Sequence, residues 1–185
     1  MKQKWELAGN YSVEIWFRIE KDKGGYPTSK SWEQLLARPL SERDDYFQIE
    51  SIPFFLKNIS CGDIVRAKTV KNSEIQEGEI FEFDTVLDRG GHNTYRLLLR
   101  KKHPDDPQFT ESELLKKGLA IEEQDGDFFA VDVPPSVDQQ AIDAYLVAES
   151  DTGRWELQDG YLHSIKITPT PEPKGQLPKG RQDQP

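Results

Sequence analysis

The chemistry open to this chain rests on a few histidine, cysteine, arginine and carboxylate side chains. His92 follows Gly90-Gly91 and precedes Asn93-Thr94-Tyr95-Arg96, a setting suited to a general base because imidazole titrates near neutrality. The plainer role is a ring hydrogen-bonded to neighbouring backbone. Cys61, the single cysteine of the chain, heads Cys61-Gly62-Asp63 and could act as a nucleophile paired with His92. An adjacent carboxylate raises a thiol pKa rather than lowering it, so a structural thiol is the expectation. His103, in His103-Pro104-Asp105-Asp106, and His163 have no partner at zinc-ligand spacing, and neither a metal site nor a cofactor is predicted. The sequence contains no nucleophile elbow, phosphate-binding loop or dinucleotide glycine pattern. No catalytic residue is assigned, and the chain reads as a binding protein.

Two sets of residues are candidates for binding. The first is acidic: Glu122, Asp125, Asp127, Asp138, Asp143, Glu149 and Asp151. The chain carries a net charge of −9. Residues 93–163 hold 7 basic and 15 acidic side chains, whereas residues 1–92 hold 13 and 16. Such a surface repels a phosphate backbone and steers a basic protein towards itself. The plainer reading is that acidic surfaces keep a protein soluble. The second set is Arg18, His92 and Arg96, placed to hold a small molecule between two halves of the chain.

The elements that must position these residues are clearest from Asn93 to Leu162. Thr94–Arg100 is an apolar run suited to a strand buried on both faces. Thr110 and Glu113 are spaced as a capping box for a short helix that stops at Gly118. Asp125-Gly126 between the runs 119–123 and 128–133 predicts a hairpin. Ser136 with Gln139 predicts a second capped helix, with Val137, Ala141, Ala144 and Ala148 as its buried stripe; Gly153 ends it, and a strand containing Trp155 and Leu157 follows. The order βαββαβ predicts a ferredoxin-like split βαβ unit over 93–163. Its aromatics Tyr95, Phe128 and Phe129 could stack RNA bases, but Asp127 and Asp132 put anions where phosphates would run. Nucleic acid is not the expected partner.

The first 92 residues are read as strands. Val13, Ile15, Phe17 and Ile19 alternate with Glu14, Trp16, Arg18 and Glu20. Residues 21–27 form a polar loop. Residues 32–40 are ambiguous between helix and strand and are taken as one arm of a hairpin with 46–50. Ile52-Pro53-Phe54-Phe55-Leu56 is too apolar for a solvent loop and is expected to plug a core as a turn or 3₁₀ segment. Residues 64–70 and 79–87 are two more strands. Four or five short strands in about ninety residues predict a small β-barrel-like domain. The overall expectation is α+β: a barrel over 1–92, the split βαβ unit over 93–163 and a flexible, disordered proline-rich tail over 164–185. No apolar run is long enough to span a membrane, and Met1–Glu6 leads into no secretory h-region. With a single cysteine, this points to the cytoplasm.

Several of these stretches together resemble a bacterial family of uncharacterised proteins, domain of unknown function 4265. They are Ile15–Asp22 with Gly25-Tyr26-Pro27, Tyr46–Phe55, Gly62-Asp63-Ile64-Val65, His92–Arg96, Val131–Pro135 and Gly153-Arg154-Trp155-Glu156. The resemblance spans about residues 11–160 and implies a bacterial, cytoplasmic protein; it brings no activity and no site residue. The favoured expectation is a non-catalytic cytoplasmic binding protein, an immunity protein that neutralises a bacterial toxin through its acidic surface. The alternative is a ligand-sensing regulatory module.

Overall fold

The computed structural model describes residues 5–20, 31–71, 75, 77–100 and 107–162. The loop expected at 21–27, His103, His163 and the proline-rich tail lie outside these residues.

Strands β1 (Val13–Arg18), β2 (Trp32–Pro39), β3 (Tyr46–Ile49), β4 (Ile64–Lys71) and β5 (Glu79–Asp88) pair in sequence order as antiparallel neighbours. A parallel pairing of β1 with β5 closes the ring into a barrel. Period-two alternation puts one side of each strand inside. Ile15, Phe17, Leu35, Ala37, Phe47, Ile49, Val65 and Ala67 form the barrel core, and Leu56 and Ile59 plug it from the loop before β4. Residues 32–39 are a strand, as expected, and the 52–56 segment is an irregular turn with Ile52 and Leu56 buried.

The second half contains β6 (Asn93–Leu99), α1 (Pro107–Lys116), β7 (Ala120–Gln124), β8 (Phe128–Val133), α2 (Gln139–Asp151) and β9 (Trp155–Asp159). Its strands form one sheet in the order β7-β8-β6-β9, every neighbour antiparallel. Asp125 and Gly126 both have positive φ, 60° and 80°, and turn the β7–β8 hairpin. Tyr95, Leu97, Phe129, Val131, Val133 and Trp155 pack with Leu114, Ile142 and Leu146 from the helices. On β6 and β8 the alternate positions Thr94, Arg96, Ala130 and Asp132 are buried too. Arg96 and Thr94 are met there by Leu56 and Ser60 of the loop before β4, and Asp132 by His92.

Three local expectations are corrected. Helix α1 begins at Pro107, so Thr110 is internal to it and buried, its hydroxyl accepting from Arg154 Nη2 at 3.3 Å. Proline suits the first helical turn because its missing N–H would have no partner there. Helix α2 is capped by Asp138, not Ser136: the Asp138 carboxylate accepts from the Ala141 amide at 3.1 Å. Gln139 instead donates to the carbonyls of Gly91 and Val133. The buried residues of α2 are Ile142 and Leu146, while Ala141, Ala144 and Ala148 are exposed. Larger side chains supply more apolar area per residue, and they took the sheet-facing positions.

Candidate functional site

The functional candidates concentrate where the barrel meets the sheet. The loop 52–62 lies in that seam, and its polar atoms find partners on both sides. Glu33, in phase with the inward-facing Leu35 and Ala37 of β2, accepts hydrogen bonds from the amides of Phe54 (2.6 Å), Phe55 (3.0 Å) and Leu56 (3.0 Å). Burial pushes its carboxyl above the usual range, opposed by these amides and by the Arg96 guanidinium. Arg96, 1% exposed, donates to the Leu56 carbonyl and to Gln158 Oε1 at 3.4 Å. Glu122 accepts from the Ile52 amide at 3.0 Å, and Ser60 Oγ lies 2.6 Å from Thr94 Oγ1. Phe128 meets Phe54 and Phe55 at ring-centroid distances of 5.5 and 6.1 Å. The sheet face on which an RNA-binding unit would stack bases is therefore occupied by this loop. Tyr95 points to the helix side, its hydroxyl donating to Asp143 at 2.9 Å.

At one end of the seam stand Cys61, His92 and Asp132. Their Sγ, ring-nitrogen and carboxylate atoms lie within 4.8 Å of one another. His92 Nδ1 is 2.8 and 3.0 Å from the two Asp132 oxygens. The ring's opposite edge rests on Gly62, whose φ is +79°; a Cβ there would come within 3.0 Å of Nε2. The Cys61 thiol points at the Glu50 carbonyl, 3.4 Å away. Burial, and then the Asp132 and Glu122 carboxylates, push this thiol up to about 12. It is thus held protonated at neutral pH, which disfavours the nucleophile. The direction matches the sequence expectation, but the cause is burial and Asp132, remote in sequence and close in space, not the neighbouring Asp63. Asp63 is engaged elsewhere: it accepts from the Ser60 and Gly90 amides and from Arg89 Nη1 at 2.7 Å.

On another side of the same loop a cavity of about 310 Å³ opens at the barrel mouth. Phe17, Phe55, Phe83 and Val86 give it an apolar floor, and Arg18, Lys57 and Arg89 line it with positive charge alongside one carboxylate, Glu20. Of the expected ligand set, Arg18 lines this cavity, whereas Arg96 is buried against Leu56 and His92 belongs to the cysteine cluster. The structure does not bring these three together.

The acidic set is likewise dispersed. Glu122 lies in the seam, Asp125 and Asp127 sit at the β7–β8 turn, and Asp138, Asp143, Glu149 and Asp151 are spread along α2. Asp138 caps the helix, Asp143 holds Tyr95, and Glu149 pairs with Arg154 Nη1 at 3.2 Å. Asp125 and Asp151 are exposed.

Glu33, Lys57, Arg89 and Asp132 were not among the sequence candidates. For Glu33 a signal existed, since a carboxylate in phase with Leu35 and Ala37 must either be buried or break the strand. Asp132 stands 71 residues from Cys61 in sequence, and only the pairing of β8 with β6 brings it close.

No curated protein matches this chain. A solved structure described as a hypothetical protein from Neisseria gonorrhoeae is similar in fold, with a TM-score of 0.57 and 17% sequence identity, covering 84% of this chain and 98% of that one. A family model described as Domain of unknown function (DUF4265) matches residues 33–157, and the chain belongs to that family.

Proposed function

We propose that this protein is a non-catalytic binding module that takes a small anion with an apolar body into the mouth of its barrel. The observation that carries the reading is the 310 Å³ cavity, whose apolar floor is ringed by Arg18, Lys57 and the Asp63-paired Arg89 against the single carboxylate of Glu20, in a chain of net charge −9. A volume of this size lies at the small end of ligand pockets, and an apolar wall with a few charged groups is their usual make-up. The guanidinium of Arg18 is held over the Trp32 ring, 5.8 Å from its centroid, which leaves less freedom to lose on binding. We read the second half as a ferredoxin-like unit, a reading supported by its strand order, and assign it the role of bracing the loop that carries Phe55 and Lys57. A reducing cytoplasm suits the free thiol of Cys61.

The test is thermal stabilisation by matched ligand series: aromatic and medium-chain carboxylates and phosphates against amines and alcohols of the same skeleton. Anionic members are expected to raise the melting temperature, by mass action on the folded state. The effect should disappear in an Arg18→Glu, Lys57→Glu double variant. Equal shifts for anions and amines, or none for either, overturn the reading.

A second reading, an immunity protein that neutralises a basic toxin, is favoured by the excess of 15 acidic over 7 basic residues in 93–163. Of its candidate carboxylates Asp125, Asp138 and Asp151 are exposed, and since Asp138 caps α2 the pair to neutralise is Asp125 and Asp151. Association with a basic product of the adjacent gene should then slow when both are neutralised. An unchanged, salt-independent rate rejects it.

A further inference from the structure

We propose that Cys61, His92 and Asp132 form a mononuclear site for a zinc-class divalent cation that ties the barrel to the sheet. This is independent of the ligand cavity, with which the cluster shares no residue.

The donor atoms come from three segments that meet only in the folded chain. Cys61 is in the loop before β4, His92 lies between β5 and β6, and Asp132 is on β8. Sγ, a ring nitrogen and a carboxylate oxygen lie within 4.8 Å of one another, a triangle whose longer edges need close by no more than about 1.3 Å around one cation. Around zinc, ligand bonds of about 2.0–2.3 Å at near-tetrahedral angles put donor atoms roughly 3.4–3.7 Å apart. His92 Nδ1 and Asp132 Oδ2 stand at 2.8 Å, so they need open by only about 0.6 Å to admit the ion.

The surroundings hold the donors in place. His92 is seated on Gly62, and Gly62 is itself packed on Gly90, where a Cβ would lie 2.5 Å from the Gly62 carbonyl carbon. Asp132 is 3% exposed and fixed by the β6–β8 ladder. The donor set selects the metal. A thiolate beside an imidazole suits zinc and its neighbours, whereas calcium and magnesium require oxygen ligands throughout. Three protein ligands leave a fourth position for water or an exogenous ligand.

Binding breaks the Cys61 S–H bond and forms an S–metal bond, and the thiol proton passes to the buffer. In the neutral ring the proton on Nδ1 moves to Nε2 as Nδ1 becomes a ligand. No electron is transferred.

The experiment is titration of the chelator-treated full chain with Zn²⁺ and Co²⁺. The expected result is one equivalent bound, with a thiolate-to-cobalt charge-transfer band and the intense visible bands of a tetrahedral site. Calcium and magnesium should produce no change. Cys61→Ser and His92→Gln should abolish the charge-transfer band, and calorimetry of the unmodified chain in two buffers of different ionisation enthalpy should register a proton released per ion. Retention of stoichiometric binding in Cys61→Ser, a cobalt spectrum without a thiolate band, or binding without proton release overturns the proposal, and so does no binding at all. The last two readouts use the unmodified chain, so misfolding of a variant leaves them intact.

Discussion

Glu33 on a barrel strand and Arg96 on a sheet strand grip the same stretch of backbone from opposite sides. Glu33 accepts the amides of Phe54, Phe55 and Leu56, and Arg96 donates to the Leu56 carbonyl. Each charge also lowers the cost of burying the other, since Arg96 pulls the Glu33 carboxyl down against burial. Glu33→Ala leaves three amides without an acceptor and should cost about 2–4 kcal/mol in urea unfolding. Glu33→Gln keeps one carbonyl oxygen and should cost less. Paired with Arg96→Leu in a double-mutant cycle, the losses should fall short of additive by about 1 kcal/mol or more. Additive losses would mean that the two residues act independently.

The Cys61 thiol makes stability depend on alkaline pH. Its pKa is raised from an ordinary 9.0 to about 12, by burial first and then by Asp132 and Glu122. A raised folded pKa means that the folded chain keeps a proton which the unfolded chain loses. The contribution is complete below pH 9.0 and is lost as pH climbs towards 12. In metal-free protein, urea midpoints should fall between pH 8.5 and 10, before the tyrosines titrate, and the fall should be shallower in Cys61→Ser. Alkylation of folded Cys61 at neutral pH should be slower than that of free cysteine by on the order of a thousandfold. Labelling at the free-cysteine rate would show that the thiol is not held protonated.

Most of the strand content was legible because alternation is a local property. Val13, Ile15 and Phe17 on β1 and the Asp125-Gly126 turn each declare themselves within a few residues. What stayed hidden depends on contacts made across the chain. The apolar run of β6 does predict burial on both faces, and Thr94 and Arg96 are buried with Asp132 of β8, but the run does not say what covers them. They are buried because a barrel loop lies on them, and nothing local announces that loop's destination. Cys61 and His92 could be paired on paper, but the third member of their cluster becomes a neighbour only through the sheet.

Helix α2 tests how far propensity misleads. Its alanines recur at helical spacing and suggest a face for close packing, yet Ala144 is exposed and Leu146 is fully buried. Leu146→Ala should cost about 2–5 kcal/mol, the range for a truncated core leucine. Ala144→Glu should stay within about 0.5 kcal/mol of wild type in the same unfolding assay, as for other surface changes. The reverse outcome would place the alanine stripe against the sheet.

Gly90 lies directly against the backbone of Gly62. A Cβ there would lie 2.5 Å from the Gly62 carbonyl carbon and 2.6 Å from its oxygen. Both contacts are with backbone, so no side chain can rotate away. The Gly90 amide is also tied to Asp63 Oδ1 at 3.0 Å, which limits how far the strand end can retreat. Gly90→Ala must therefore push Gly62 outward, and with it the floor beneath His92. The expected loss is about 1–3 kcal/mol, typical of overpacking. Gly78→Ala is the control, because a Cβ there meets nothing within 4 Å and only its φ of +105° opposes the change. If Gly90→Ala costs no more than this control, the Gly62–Gly90 contact yields easily. It would then not hold the ring of His92 in place.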